Sequence, residues 1–242
     1  MPSHHTQESD HPQERARSGR VLIVVAKEPQ PGQVKTRIAA TLGPRTAARL
    51  YRCALEDTLD LVRAVGVTPA LSYAPPTGEA RAYFADLAPD FTLVPQVGAD
   101  FGARLLGAFE AAFALGAGQV VLIGTDNPSL PSAYVRQAFG ALEDEQTDVV
   151  LGPVTDGGYY LLGMKRPHPV LFERVAWSTG VVAGQTRERA REGGLRLAEV
   201  PTWYDLDVED DLHTLLRDLR AEPDGRAART RALLEHLGLG PK

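Results

Sequence analysis

Three groups of residues place charge where chemistry can use it. Asp126 stands just beyond an apolar run, Val120 to Ile123, that ends in Gly124. Lys27, Lys35 and Arg37 put three cations within eleven residues after a second run, VLIVVA from Val21 to Ala26. Asp205 and Asp207 sit two apart in WYDLDVEDDL, Trp203 to Leu212, and share a side if that segment is extended. A carboxylate fixed by a stiff turn suits a divalent metal, which can itself hold phosphates. A basic, glycine-containing loop suits phosphates directly, through its cations and free backbone N–H groups. Cations at a helix start oppose the helix dipole, so an anionic ligand would relieve them. Each group also has a plainer reading. Asp126 closes a turn, the basic loop is a solvated face, and the acids after Val208 favour a helix start.

The surrounding elements must hold these groups in place. Val120 to Ile123 reads as a strand buried on both faces of an α/β sheet, and ligands in such sheets bind beyond the carboxyl ends of the strands. Pro128 and Pro131 stop it, and Ser132 is placed to cap the next helix. Val21 to Ala26 is another buried strand, and two prolines with Gly32 stiffen the loop after it. From Pro44 to Val65 the pattern is helical: Tyr51, Leu55, Leu59 and Val62 form one apolar stripe, which Gly66 ends. Further strands are expected at Thr68 to Tyr73, Phe91 to Val94, Asp148 to Pro153 and Arg196 to Val200, with helical stretches between successive strands. That alternation predicts a mainly parallel sheet.

Two loops add polar candidates. Gln96, Gly98, Asp100 and Gly102 precede a helix whose core face is Leu105, Phe109 and Phe113. Gln96 can pair its amide with a nucleobase edge, and Gly102 would let a ring approach the backbone. An ordinary strand-to-helix turn explains the same loop. In TDGGYYLLGM, Thr155 to Met164, the Asp-Gly-Gly turn makes its flanking strands antiparallel neighbours. The turn also sets Asp156 beside open backbone at Gly157 and Gly158. Trp177, Ser178 and Thr179 precede a helix around Gly184 to Arg191, with Thr179 as its cap.

Composition narrows the class. The chain has 242 residues, 43% of them hydrophobic, and a net charge of −5, which argues against a general nucleic-acid or anionic-membrane binder. One domain is expected at 21–220, with a disordered polar tail at 1–20 and a helical extension at 221–242. The lone Cys53 lies in a helix and reads as an inert thiol, and no Cys/His cluster implies zinc. His4, His5 and His11 belong to the tail, and His168 and His213 read as surface residues. No apolar run approaches the ~20 residues that span a bilayer, and the first residues lack a signal-peptide core. A cytoplasmic protein is expected. The Walker spacing G-x-x-x-x-G-K-S/T is absent.

Together, AKEPQPGQVKTRIA, GADFGARL, GTDNPSLP, GPVTDGGYYLLG, the Trp177-Ser178-Thr179 triplet and DLDVEDDL resemble one superfamily. The chain is similar to nucleotide-diphospho-sugar transferases of the GT-A fold, over roughly Val21 to Leu219. It most resembles the arsenosugar-biosynthesis or radical-SAM/selenodomain-associated glycosyltransferases. More distantly, it resembles the molybdenum-cofactor and phospholactate guanylyltransferases. The resemblance implies a three-layer α/β/α Rossmann-like fold with a mainly parallel mixed sheet. It implies that Ala26, Lys27, Gly32, Lys35 and Arg37 meet the donor nucleotide and its phosphates. Gln96 and Gly102 would approach the base, and Arg104 is a further phosphate candidate. Asp126 and Asp207 would bind Mg²⁺ or Mn²⁺. Asp156, Gly157, Gly158 and Tyr159, with Trp177, would line the acceptor side. The familiar D-x-D is broken, with Gly124 in the place of its first aspartate, and Val208 and Glu209 replace the threonine and proline of D-x-D-T-P-E-D-L.

Two reactions follow. In glycosyl transfer from an NDP-sugar to a small acceptor, Asp126 and Asp207 hold the metal and Asp156 is the base. In nucleotidyl transfer from an NTP to a phosphorylated small molecule, charge stabilisation by Lys27, Lys35 and Arg37 carries more of the work. Glycosyl transfer is preferred slightly, with Lys35, Asp126 and Asp156 as the catalytic set. A third reading, a nucleotide-binding regulator, rests only on the broken D-x-D.

Overall fold

The computed structural model describes residues 19–221 and 225–239. Residues 1–18 of the tail expected at 1–20 therefore lie outside the described residues, and its last residue, Arg20, already belongs to the first strand. In chain order the elements are β1 (Arg20–Lys27), α1 (Thr36–Leu42), α2 (Pro44–Val65), β2 (Thr68–Ala74), α3 (Gly78–Leu87), β3 (Thr92–Pro95) and α4 (Phe101–Ala114). Then come β4 (Gln119–Ile123), α5 (Ser132–Glu143), β5 (Val149–Pro153), β6 (Tyr159–Met164) and a 3₁₀ turn at Pro169–Phe172. The chain continues through α6 (Val182–Glu192), β7 (Leu197–Glu199), α7 (Glu209–Ala221) and α8 (Ala228–His236).

The strands form one seven-stranded sheet in the order β3-β2-β1-β4-β6-β5-β7. The expected antiparallel pair is present: β6 runs against both β4 and β5, and the remaining neighbours are parallel. Alternation along β1 fixes the layers. Leu22, Val24 and Ala26 join Leu55 and Leu59 of α2, Phe84 of α3 and Phe139 of α5 in one buried cluster. Ile23 points the other way, into a cluster with Leu105 and Phe109 of α4 and Ala183 and Ala190 of α6. The result is the three-layer α/β/α arrangement expected from the sequence, with a mainly parallel mixed sheet. Among the described residues no helix is long and apolar enough to cross a membrane.

Two helix starts differ from expectation. α5 is preceded by Pro131, which has no capping side chain, and Ser132 is instead the first helical residue, its Oγ accepting from Arg136 Nη2 at 2.5 Å. α6 is preceded by Val181, while the Thr179 hydroxyl donates backward to Ala176 O. In both cases the hydroxyl finds a nearer local partner than the helix N–H groups.

The C-terminal helices pack on the domain. Leu215 and Leu219 of α7 and Leu233 and Leu234 of α8 share a cluster with Ile38 of α1, Leu50 of α2 and Leu206. Asp57 of α2, only 7% exposed, accepts from the backbone N–H groups of Arg229 and Thr230 at 3.0 and 2.9 Å. It thus does from another helix what a cap residue does for α8, whose own N-cap, Ala227, has no polar side chain. Asp57→Ala should cost about 1–2 kcal/mol and should speed proteolysis of the C-terminal segment before global unfolding. An unchanged denaturation midpoint and cleavage rate would show that α8 is held by its leucines and the Arg229 ion pairs with Glu56 and Asp60 without need of Asp57.

Candidate active site at the sheet switch point

The chain leaves β1 toward β2 on one side, while β4 lies on β1's other side. The loops after β1 and β4 therefore diverge, opening the crevice where ligands bind in doubly wound sheets. The Tyr51 hydroxyl ties the two strand ends together. It accepts from Lys27 N at 2.9 Å and from Thr125 Oγ1 at 3.1 Å. Burial, and then the Asp126 charge, push this phenol up to about 12.

The loop after β1 turns at Gly32, φ +80°, and ends at Lys35, which starts α1 from the left-handed region at φ 46° and ψ 44°. Its side chain is 4% exposed. The ammonium is ion-paired with Asp126 Oδ1 and Asp207 Oδ1, the latter at 3.0 Å, and donates to Leu206 O at 2.5 Å. Burial alone would lower its pKa, but the two carboxylates outweigh it and hold the amine above the ordinary lysine value.

The loop after β4 and the segment before α7 are stitched together around this ammonium. Leu206 N donates to Asp126 O at 2.8 Å, and Asn127 Nδ2 donates to Tyr204 O and to Asp205 Oδ1, each at 2.7 Å. The Tyr204 hydroxyl donates to Asp218 Oδ2 at 2.9 Å and lies 2.7 Å from Ser129 Oγ. Asp211 accepts from the N–H groups of Asp207 and Val208, so it anchors the start of α7. As the two-residue spacing predicted, Asp205 and Asp207 come together, and Asp156 joins them, with one carboxylate oxygen of each within 4.8 Å of the others.

The turn between β5 and β6 is clasped. Gly157, at φ +93°, comes so close to Gly180 that a Cβ on it would lie 1.9 Å from Gly180 O, and Ala183 N donates to Gly157 O at 2.9 Å. Only glycine fits there. Asp156 Oδ1 accepts from Gly158 N at 2.9 Å. Trp177 stacks with Phe172 and meets Phe101 and Tyr159 edge to face, at ring separations of 6.5, 5.4 and 6.5 Å. The Tyr159 hydroxyl is buried without a hydrogen-bond partner, and burial raises its pKa.

Several expected nucleotide contacts lie elsewhere. Gln96 is 5% exposed and spends its amide nitrogen on Ala26 O and Ser72 O, at 3.2 and 2.8 Å, so it ties β1 to β2 and presents no donor to a base. Ala26 is buried beside it. Gly102 packs under Trp177, whose indole would stand 2.8 Å from a Cβ there. The glycine therefore admits a protein ring. Arg104 lies over Phe101 at 5.6 Å. Lys27 and Arg37 are exposed, and Arg37 Nη1 is 3.8 Å from Asp207 Oδ2. Sequence reasoning missed Tyr51, which it counted as an apolar stripe residue, and Asn127, which it quoted within GTDNPSLP without a role.

Crowding leaves its mark on Asp205, whose carboxyl rises from 3.8 to about 7. Burial is the main cause, Asp126, Asp207 and Asp156 add to it, and the Asn127 hydrogen bond opposes it. The unfolded chain loses this proton at lower pH than the folded chain, so stability falls as pH rises from about 4 to about 7. Asp205→Asn should raise Tm above pH 7 in EDTA and flatten the Tm profile between pH 4 and 7. Superimposable profiles for variant and parent would refute the assignment.

Comparison with known proteins agrees with this architecture. A structure from Desulfovibrio desulfuricans G20, provisionally described as a nucleotide-diphospho-sugar transferase, has a TM-score of 0.85 and 30% identity, covering 93% of this chain and 100% of its own. A nucleotidyl transferase from Methanothermobacter has a TM-score of 0.54 and 18% identity, with 84% and 98% covered. The inositol-1-phosphate CTP transferase of T. maritima has a TM-score of 0.53 and 16% identity, with 85% and 96% covered. These last two share the fold alone. No curated protein matches significantly. The family described as "Uncharacterized protein conserved in bacteria (DUF2064)" matches residues 58–179, half of the chain, and with the Desulfovibrio likeness it shows that this protein belongs to that family.

Proposed function

We propose that this protein is a metal-dependent transferase using a nucleotide donor, and that it moves a sugar from an NDP-sugar to a small-molecule acceptor. One observation carries the reading: Asp126 and Asp207 pair with a buried ammonium at the sheet switch point, and Asp156 and Asp205 gather beside Asp207. Four carboxylates against Lys35 and Arg37 leave surplus negative charge, and burial together with that charge holds back the proton of Asp205. A set of hard oxygens with excess charge fits Mg²⁺ or Mn²⁺, with Asp156, Asp205 and Asp207 as the candidate donors, while Asp126, which the resemblance implied as a ligand, stands outside that group. When bound, such an ion supplies Lewis-acid neutralisation of a diphosphate leaving group.

The chain's own residues would do the rest. Lys27 and Arg37, exposed on the loop around Gly32, are the cations available to phosphate oxygens. Asp156 would take the proton of an acceptor hydroxyl, with Tyr159 and Trp177 as apolar groups beside its loop, whereas Gly157, filled by its contact with Gly180, fixes the loop and does not admit the acceptor. The provisional description of the Desulfovibrio relative favours the same chemistry. The narrower likeness to arsenosugar-biosynthesis and selenodomain-associated glycosyltransferases is part of this proposal, carried by the six sequence motifs.

Nucleotidyl transfer is the second reading. Its sequence argument rested on three cations for pyrophosphate, and burial of Lys35 takes one of them away. A thermal-shift panel of NTPs against NDP-sugars, with Mg²⁺, with Mn²⁺ and with EDTA, separates the cases. Ligand at a hundredfold excess over Kd adds about 2.7 kcal/mol to the folded state. A metal-dependent shift with one NDP-sugar and none with the matching NTP is expected. The reverse pattern would make the protein a nucleotidyltransferase, and equal shifts in EDTA would favour the regulator.

A further inference from the structure

The sequence places Lys35 among the phosphate-binding cations, but its surroundings leave it no donor for a phosphate. An ammonium has three N–H groups. Here three acceptors surround it: Asp126 Oδ1, Asp207 Oδ1 and Leu206 O. With the side chain 4% exposed, a phosphate oxygen could reach Nζ only after one of these contacts broke. Breaking one would give up a charged contact of the buried ammonium and bring a phosphate's negative charge beside two carboxylates, which like-charge repulsion disfavours. The backbone repeats the point. Lys35 occupies the left-handed region, uncommon for a lysine, at the start of α1. Such a conformation persists only where the surroundings over-determine it.

We propose that Lys35 is a positioning residue whose ammonium acts as the built-in cation of the Asp126–Asp207 pair, occupying the place between them that a divalent ion would need. On this view Asp126 is held by Lys35 and is not a metal ligand, and a divalent ion is left with oxygens that Lys35 does not use. Phosphate neutralisation then falls to Lys27 and Arg37, the exposed cations of the same segment. The inference rests on the reading of this site as a nucleotide and metal site, and it changes the residue set of that reading.

The test uses the full-length protein and Mn²⁺ alone, titrated by calorimetry without nucleotide, with folding of each variant checked by its melting curve. Lys35→Met frees two carboxylates for the ion and should tighten Mn²⁺ binding about tenfold or add a second ion. Lys35→Arg keeps the charge and should leave Mn²⁺ affinity within about threefold of the parent. Asp126→Asn, which does not depend on Lys35→Met folding, should also leave Mn²⁺ affinity within about threefold. In EDTA, triphosphate affinity should be the same in Lys35→Met and parent. Unchanged Mn²⁺ binding in Lys35→Met, a tenfold loss in Asp126→Asn, or a selective loss of triphosphate affinity in Lys35→Met would each overturn the assignment. If no nucleotide binds at all, the transferase reading fails on its own, and the Mn²⁺ titrations still decide the role of Lys35.

Discussion

A single buried ammonium joins segments 171 residues apart in sequence, and the site is arranged around that contact. Lys35 comes from the loop after β1, Asp126 from the loop after β4, and Leu206 and Asp207 from the segment before α7. Without the cation, two partly exposed carboxylates would be left facing one another with no charge to offset their repulsion. The neighbouring hydrogen bonds, from Asn127 to Asp205 and Tyr204 and from Leu206 to Asp126, connect the same two loops. The ion pairs and these bonds therefore support one another: the bonds fix the loop spacing at which the ammonium reaches both acids, and the ammonium offsets their repulsion.

This coupling explains why the C-terminal helices matter to a site they do not line. Tyr204, next to Asp205, hydrogen-bonds to Asp218 of α7, and Arg226 donates to Ser129 O in the loop after β4. Leu206 sits in the same apolar cluster as Leu215 and Leu219 of α7 and Leu233 and Leu234 of α8. Packing of α7 and α8 thus sets where Asp205 and Asp207 stand. Shifts in that packing would be felt as changes in carboxylate spacing, to which charge–charge energies are sensitive at short range.

The fold was legible because its signals are local. Continuous apolar runs at Val21 and Val120 marked buried strands, the stripe from Tyr51 to Val62 marked α2, and Asp-Gly-Gly at Asp156 marked the antiparallel pair. At the site, what was legible was the residue types. Asp156, Asp205 and Asp207 do come together, and the extended two-residue spacing was enough to foresee two of them. The partners of each group were not legible, because they are set by tertiary contact. Lys35 reads as a phosphate cation until the loop after β4 and Leu206 close over it. Gln96 reads as a base-pairing amide until β1 and β2 bring Ala26 O and Ser72 O to its nitrogen. Tyr51 fits its apolar stripe, yet its hydroxyl meets two strand ends that no spacing within α2 encodes.

The broken D-x-D has a physical reading in these terms. At Gly124 the nearest atom to an added Cβ would be Asp126 N at 3.9 Å, an ordinary contact, so packing does not demand a glycine there. The acidic groups missing from that strand end are supplied by other segments, Asp156 from the turn between β5 and β6 and Asp205 from the extended stretch before α7. Carboxylates on three separate loops can be spaced further apart than two on one strand, which matters when one of their oxygens is already given to an ammonium. A first aspartate at position 124 would add a fifth carboxylate to a cluster whose charge, after burial, already helps raise Asp205 to about 7. Mutual repulsion within the cluster therefore disfavours restoring the motif, since its negative charge already exceeds what the buried ammonium and Arg37 offset.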